Sequence, residues 1–404
     1  MKNMWLPLVA LFVGGAVILA AGCKSAPQAI LPSVQETLAF DRTNRQLGYQ
    51  IIGNGSKVVF VFDQAAYKFE SVSKVYLEGS FNGWLKGTDD SWLLAPSSNP
   101  KIWTLTRDAA DIRIPGNSGY PEFKFYVIVK DPKFPQEPNA MSTVPGFQMA
   151  TNNLVLFPGD EPGEIAQNVV IANTLKTLDQ FDLSDPAQVA LISNVRQVPG
   201  TPALYRGYHP FKKSRGQYDT EEPRIALVKE ALEKNGIKSV ITLSGEEKAG
   251  GGESISAYQQ AIIDAGNQLY INSSYNTVYY HSAETDFGNS VQTVVRFINS
   301  HPGPYFIHCR LGTDRTGTFS AVLAALCGTS WKDIAADYQK TNLMGIKEFR
   351  DYHLLQYSFE KMLGKPVSEV ADLKAELSAY FIAGGYLTRA DIDALNAKLG
   401  AAAK

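Results

Sequence analysis

The chain has 404 residues and a formal net charge of −2, with 45% hydrophobic and 19% charged residues. This composition is typical of a globular protein and excludes a disordered or fibrous chain. The near-neutral charge gives no indication of nucleic-acid binding, and the length predicts two or more domains.

The first residues predict an export signal. Lys2 precedes an apolar run, residues 5–21, whose length suits the apolar part of a signal peptide. An uncleaved membrane anchor is the alternative, and either would export the rest of the chain. The run ends in Leu19-Ala20-Ala21-Gly22-Cys23, which resembles a bacterial lipobox. The resemblance implies a lipid on Cys23 and anchoring in a bacterial membrane, on its periplasmic or extracellular side.

After this signal, the patterns indicate strands first. Short apolar or alternating runs, separated by Gly, Pro, Asn and Asp clusters, are typical of a β-sandwich. The predicted strands are 58–62, 74–78, 123–127 and 153–157. A cluster of Pro and Gly at 158–163 predicts a domain boundary.

After Tyr205 strands and helices alternate, which predicts an α/β domain with a mainly parallel sheet. The predicted strands are 239–243, 268–271 and 305–307, and the predicted helices are 223–234, 255–265, 287–299 and 316–327. Ser330 with Asp333, and Thr388 with Asp391, predict N-caps in a helical tail. The predicted organisation is signal 1–23, tether 24–48, β-sandwich 49–158, linker 159–189, α/β domain 190–364 and C-terminal helices 365–404.

The loop between strand 305–307 and helix 316–327 carries His308-Cys309-x5-Arg315-Thr316-Gly317. A loop that joins a strand to a helix N-terminus can turn its N–H groups inward and bind an anion. We expect Arg315 to hold phosphate oxygens in a fork, and Cys309 to attack phosphorus as a thiolate. We also expect Thr316 to donate a hydrogen bond to the sulfur. The predicted phosphate-binding residues are Arg310, Leu311, Gly312, Thr313, Asp314, Arg315 and Thr316.

This pattern resembles the signature of the protein tyrosine and dual-specificity phosphatase superfamily. Residues 204–206 and 236–241 resemble its bacterial dual-specificity-like members, and the resemblance covers about 194–364. It implies a metal-free and cofactor-free phosphomonoester hydrolase that acts through a phosphocysteine on phosphorylated proteins or small phosphomonoesters. It also implies that His308 keeps the thiol ionised. A pseudo-phosphatase without turnover, or a non-catalytic surface protein that binds phosphate or glycan, is the alternative.

The general acid has two candidates. The superfamily takes an Asp from an upstream loop, and Asp286 lies in about that place, unless it is only a helix N-cap. Myotubularin-like relatives carry an Asp before the Arg, as Asp314 does here, although Asp314 could instead only orient Arg315. His209 and His281 either line the cleft or have structural roles.

Substrate class follows from the charge of the loop. Arg310 and Asp314 cancel formally, which favours a monoester such as phosphotyrosine over a highly charged polyphosphate. A glucan or inositol-phosphate phosphatase is the alternative.

Residues 75–84, 122–127 and 151–153 resemble the glycogen-binding modules of the AMP-activated kinase β-subunit and of starch-branching enzymes. The resemblance implies an immunoglobulin-like β-sandwich that binds glucan at Trp84, Lys124 and Asn152. The second Trp of those modules has no match here, and Phe134 is the nearest aromatic residue. The alternative is that Trp84 belongs to the core and that the module only spaces or docks.

Overall fold

The computed structural model describes residues 42–69, 71–129, 147–246 and 254–401. The predicted signal with Cys23, residues 24–41 of the predicted tether, and Phe134 lie outside these residues. In the part that is described, no helix combines the length and apolar character that crossing a membrane requires.

The N-terminal half is rich in strands and will be called the β-rich part. Its elements are α1 (Arg42–Leu47), β1 (Tyr49–Ile52), β2 (Lys57–Asp63), β3 (Val72–Gly79), β4 (Ala95–Pro96), β5 (Ile102–Asp108), α2 (Ala109–Ile112), β6 (Glu122–Val129), β7 (Gln148–Met149) and β8 (Asn152–Leu154). They form two four-stranded antiparallel sheets, ordered β1-β2-β5-β4 and β3-β6-β8-β7.

Both sheets contribute to one apolar core, in which Phe60 and Phe123 pack edge to face at 5.0 Å. The predicted strands 58–62, 74–78 and 123–127 are confirmed, and each lies within a longer one. The last predicted strand is shorter than expected, since it ends at Leu154. The tether prediction was wrong at its C-terminal end, because α1 is helical and Leu47 is buried in this core.

The rest of the chain will be called the α/β part. Its elements are α3 (Pro162–Asn173), α4 (Pro186–Ser193), β9 (Arg196–Val198), β10 (Thr201–Gly207), α5 (Glu221–Lys234), β11 (Ser239–Thr242), α6 (Ala257–Asp264), β12 (Gln268–Tyr270), α7 (Tyr275–Tyr279), α8 (Thr285–Ser300), β13 (Tyr305–His308), α9 (Asp314–Leu326), α10 (Trp331–Gln339), α11 (Tyr352–Leu363), α12 (Leu373–Ala383) and α13 (Arg389–Leu399).

One five-stranded sheet, ordered β12-β11-β13-β10-β9, is the centre of the α/β part. The pairs β12–β11, β11–β13 and β13–β10 are parallel, and only the edge strand β9 runs antiparallel to its neighbour, so the predicted topology is confirmed. Helices α8 and α9 pack on the sheet with α12 and α13, whose Phe381 and Leu395 are fully buried in the same core. The tail is therefore part of this core, and its N-caps Ser330 and Thr388 are confirmed.

Candidate active site

Cys309 directly follows β13, which lies between β10 and β11 in the sheet. Its side chain is only 3% exposed, and the short loop after it leads into α9, which begins at Asp314. Ligands of open α/β sheets bind outside the carboxyl ends of the strands, which is where this loop lies. The backbone N–H groups of Leu311, Gly312 and Thr313 donate no hydrogen bond to any described residue. They are therefore available to an anion, and the N-terminus of α9 adds positive partial charge.

The loop carbonyl groups, by contrast, are bonded to the surrounding protein. Asn194 Nδ2 donates to Leu311 O at 3.0 Å, and Arg206 Nη2 donates to Gly312 O at 2.7 Å. Gly312 has φ of +76°, and a Cβ there would lie 2.2 Å from the carbonyl oxygen of Gly207. Since carbonyl oxygens that point outward leave the N–H groups pointing inward, these contacts favour an anion-binding conformation.

Arg206 belongs to a buried charge network that the sequence did not reveal. Its side chain is 1% exposed, and Nη1 contacts Asp337 Oδ2 at 2.8 Å. Arg196 Nε contacts the other oxygen, Asp337 Oδ1, at 2.5 Å. Burial raises the pKa of Asp337, but the two guanidinium groups outweigh burial and hold it below its ordinary value. Asp337 thus balances the buried charge of the arginine that holds Gly312.

His308 is fully buried next to the predicted nucleophile. Its Nδ1 lies 3.1 Å from Cys309 O, and its Nε2 lies 2.8 Å from Thr242 Oγ1, which accepts a hydrogen bond from Gln268 Nε2. Because a carbonyl oxygen only accepts, Nδ1 donates to Cys309 O, and these two contacts fix the orientation of the ring. That His308 keeps the thiol ionised stays a prediction.

Both loop arginines contact backbone carbonyls beside the loop. Arg315 Nη1 lies 3.3 Å from Ser273 O and 3.4 Å from Leu243 O, which are long hydrogen bonds that a phosphate dianion can replace. Arg310 donates through Nε to Ser214 Oγ at 3.1 Å and through Nη2 to the backbone oxygen of Lys213 at 3.0 Å. The structure thus places Arg315 at the first turn of α9, while Arg310 is bonded to the segment that follows β10.

Asp314 is bonded to a distant arginine, rather than to Arg315 as one of our two interpretations had it. Arg350 Nε lies 2.7 Å from Asp314 Oδ1, and its Nη2 lies 3.5 Å from Oδ2. Tyr279 OH donates to Asp314 Oδ1 at 3.1 Å. Asp314 therefore links the loop to Arg350, a residue with no signal in the sequence.

Two predicted details were wrong. Thr316 Oγ1 is buried without a hydrogen-bond partner among the described residues, so the predicted bond to sulfur is absent. The N-cap of α8 is Glu284 rather than Asp286, because the helix begins at Thr285. Asp286 lies in the first turn with an exposed side chain, and the described contacts do not join it to the loop.

The two candidate histidines differ in their surroundings. His209 is fully buried, and its Nδ1 accepts from the backbone N–H groups of Phe211 and Lys212, at 3.3 and 3.0 Å. These contacts give it a structural role in shaping the segment after β10. His281 is exposed and pairs with Glu284 at 2.6 Å, and it lines a cavity between the two parts of the chain.

That cavity has a volume of about 780 Å³, within the usual range for ligand sites. The β-rich part contributes Trp84, Glu122 and Asn152, and the α/β part contributes tyrosines and Arg350. Trp84 is half-buried, has an unusual φ of +60° and is not part of the apolar core, which argues against the core alternative. Lys124 is not among the residues that line the cavity. Two of the three predicted sugar-binding residues are thus brought together.

Comparisons with known proteins bear on the α/β part. Residues 221–400, fewer than half of the chain, match a family model described as tyrosine phosphatase family. One similar solved structure is the core catalytic domain of the PP-IP phosphatase SIW14 from S. cerevisiae with citrate, at 16% identity. The match covers 48% of this chain and 94% of that chain, with a TM-score of 0.26. Another structure, of the Siw14 catalytic core, has 15% identity, coverages of 48% and 94%, and a TM-score of 0.25. No curated protein matches the chain.

Proposed function

We propose that this chain, whose residues 221–400 match a tyrosine phosphatase family model, acts on phosphoproteins through a phosphocysteine on Cys309. The observation that carries this proposal is the loop itself, in which three N–H groups without a described hydrogen-bond partner follow a cysteine at the end of the central strand. Arg315, in the first turn of α9, would hold two phosphoryl oxygens. A chain with this loop can bind the substrate and supply the nucleophile.

In the first step the Cys309 thiolate attacks phosphorus, a P–S bond forms and the P–O bond to the leaving group breaks. The leaving oxygen takes one proton from a general acid. Water then attacks phosphorus and gives one proton back to the carboxylate of that acid, the P–S bond breaks, and inorganic phosphate and the thiolate are released. N–H groups and Arg315 would stabilise the charge of the equatorial oxygens in both steps.

We propose Asp286 rather than Asp314 as the general acid, because both oxygens of Asp314 accept from Arg350, whereas the exposed Asp286 has no such pair among the described residues. Removing the acid should abolish the fall of kcat at alkaline pH, since that limb reports loss of the proton to be donated. We expect Asp286→Asn to flatten the alkaline limb and Asp314→Asn to leave it in place. The opposite result would assign the role to Asp314.

The charges around the loop favour a single phosphate. Lys213 pairs with Glu222 and Arg215 with Glu348, so these basic residues are largely compensated. Asp314 pairs with Arg350, so it does not cancel Arg310 as the sequence suggested, and Arg310 and Arg315 remain to bind the phosphate. A highly charged polyphosphate would need several uncompensated cations beyond the loop. This balance supports a phosphomonoester such as phosphotyrosine over an inositol polyphosphate.

The test compares a phosphotyrosine peptide, a phosphoserine peptide, inositol hexakisphosphate and phosphoglucan as substrates of the full chain. We expect the phosphotyrosine peptide to have the highest kcat/KM. Cys309→Ser should reduce hydrolysis of p-nitrophenyl phosphate to background, whereas the control Cys327→Ala should retain it. Activity that persists in Cys309→Ser would refute the mechanism, and a preference for inositol hexakisphosphate would refute the substrate class.

A glucan-directed phosphatase is the second candidate, in which an immunoglobulin-like sandwich binds the sugar. The favouring observation is that Trp84 and Asn152 face one cavity together with tyrosines of the α/β part. Aromatic faces and amide groups are the usual partners of sugar rings and hydroxyls. We expect retention on amylose resin to be lost in Trp84→Ala and kept in Lys124→Ala. Passage of the wild-type chain through the resin without retention would exclude this candidate.

The export signal adds a proposal about location. We expect Cys23 to carry lipid and to hold the enzyme on a bacterial membrane, on its periplasmic or extracellular side. Expression in a bacterial host with radiolabelled palmitate tests this, because Cys23→Ala should not incorporate the label. Equal labelling of both chains would refute it.

A further inference from the structure

The segment 349–351 connects the catalytic loop to the β-rich part. Phe349 is 5% exposed and belongs to the core between the two antiparallel sheets, although it lies in the α/β part of the sequence. Two residues on, the backbone N–H of Asp351 donates to Asn117 O at 3.0 Å. The β-rich part thus holds this segment on both sides of Arg350.

Asp351 fits closely against the loop that contains Asn117. A Cβ added to Gly119 would lie 2.7 Å from Asp351 Oδ1, so the Asp351 side chain packs against the Gly119 backbone as closely as a glycine permits. The Asp351 carboxylate also accepts from Asn168 Nδ2 at 3.2 Å and contacts His353 Nδ1 at 2.6 Å. The Gly119 contact joins the segment to the β-rich part, and the other two join it to α3 and α11.

Arg350 itself is held on its backbone and on its side chain. Asn342 accepts from Arg350 N and donates to Arg350 O, both at 2.9 Å. The guanidinium contacts both oxygens of Asp314 and lies 5.7 Å from the centre of the Tyr275 ring. Tyr275 OH in turn donates to Asn117 Oδ1 at 2.6 Å.

Charge supports this arrangement. Burial lowers the pKa of Arg350, but Asp314 and the neighbouring tyrosines more than compensate and raise it above its ordinary value. The pair with Asp314 is largely shielded from solvent, with side chains 13% and 18% exposed. A pair in this environment is screened less by salt than a surface pair.

We infer that Arg350 is a positioning residue that holds the catalytic loop through Asp314. The β-rich part fixes the position of Arg350 through its contacts with Phe349 and Asp351 and through Asn117. The inference deepens the proposed function and rests on it, because the loop held here is the one assigned to catalysis. The β-rich part would then be required for turnover even of a substrate too small to contact it.

The first test measures kcat and KM for p-nitrophenyl phosphate with the full chain. A displacement of about 1 Å at reacting groups lowers rates by about 100-fold, so we expect Arg350→Met to reduce kcat by about 10- to 100-fold. KM should change less, because the N–H groups still bind phosphate. Arg350→Lys should recover part of the loss, since it restores the charge but not the fork. The control is Arg389→Met, an exposed arginine at the start of α13.

The second test asks whether Arg350 acts through Asp314. In an Asp314→Asn background, Arg350→Met should lower kcat far less than in the wild type, because the pair is already broken. The same logic applies to the Tyr275–Asn117 bond. Asn117→Ala and Tyr275→Phe should each lower kcat by about two- to tenfold, and the double variant no more than either.

These results are separable from failure of the proposed function. If wild-type activity does not depend on Cys309, the proposed function fails. If it does, and folded Arg350→Met, checked by circular dichroism, has wild-type kcat, the inference alone is wrong. Additive effects of Asp314→Asn and Arg350→Met would also overturn it. Should Arg350→Met not fold, Arg350→Lys and the Asn117–Tyr275 pair decide the question in the same way.

Discussion

Substituting Asp337 by Asn tests the buried network behind the catalytic loop. The change keeps the shape of the side chain but removes its charge, leaving Arg206 and Arg196 buried side by side without a counter-charge. The amide also replaces one acceptor oxygen with a donor, which would face an arginine N–H group. Breaking a buried ion pair by removing one partner costs about 3–5 kcal/mol. We therefore expect a loss of that size in the free energy of unfolding at pH 7.

The pH dependence of the loss has a definite sign. The pKa of Asp337 is lower in the folded than in the unfolded chain, so its contribution is complete above the unfolded pKa, about 4. It is lost as the pH falls through the lower folded pKa. The wild type and Asp337→Asn should therefore differ by a constant amount above about pH 5 and converge below pH 4.

The free energy can be read from the reaction of Cys327 with a thiol reagent in increasing urea, followed by mass spectrometry. Cys327 is 6% exposed in the core of the α/β part, so it reacts when this core opens. Asp264→Asn, on an exposed site of α6, is the control and should change the free energy by less than about 0.5 kcal/mol. We also expect kcat to fall about tenfold, because Arg206 holds Gly312. A loss in the free energy of unfolding below about 1 kcal/mol would refute the reasoning. A difference between the wild type and Asp337→Asn that stays unchanged below pH 4 would refute it as well.

Three further predictions concern the loop and its chemistry. Burial raises the pKa of Cys327 to about 12, so iodoacetamide at pH 7 should modify Cys309 before Cys327. Peptide mapping would show the order of labelling, and faster labelling of Cys327 would contradict this prediction. Gly312→Ala should lower kcat by about 100-fold, because the added Cβ would meet the carbonyl oxygen of Gly207. The control Gly236→Ala, with φ of +58° and open space around it, should keep kcat. Equal effects of the two substitutions on kcat would mean that backbone strain alone matters. Dialysis against EDTA should leave kcat within about twofold of the untreated enzyme, and a loss restored by added zinc or magnesium would contradict a thiolate mechanism.

Local patterns were enough to predict the centre of the α/β part. The apolar run before Cys309 and the small, polar loop after it specify a strand, a turn and a helix within a few consecutive residues. The confirmed strands 239–242 and 305–308 are short runs of β-forming residues, which indicate buried parallel strands.

The supporting residues could not be predicted in the same way. Arg350 and Asp337 are ordinary charged residues in the sequence, and only the packing of later segments on α9 brings them to the loop. Strand β5 was missed because its residues are mostly half-exposed and polar, with Thr104, Thr106 and Arg107 among them. Sequence patterns indicate which residues of one element are buried. The contacts of Arg350 and Asp337 depend instead on how segments far apart in the sequence pack together.

Phe349 has a consequence for the unfolding of the molecule. It is a side chain of one part that is buried in the apolar core of the other, next to an arginine that contacts the catalytic loop. Neither part can lose its structure without exposing apolar surface of its neighbour, so the two should melt together in one cooperative transition. The two parts can therefore be separated in the sequence, but we do not expect them to unfold independently.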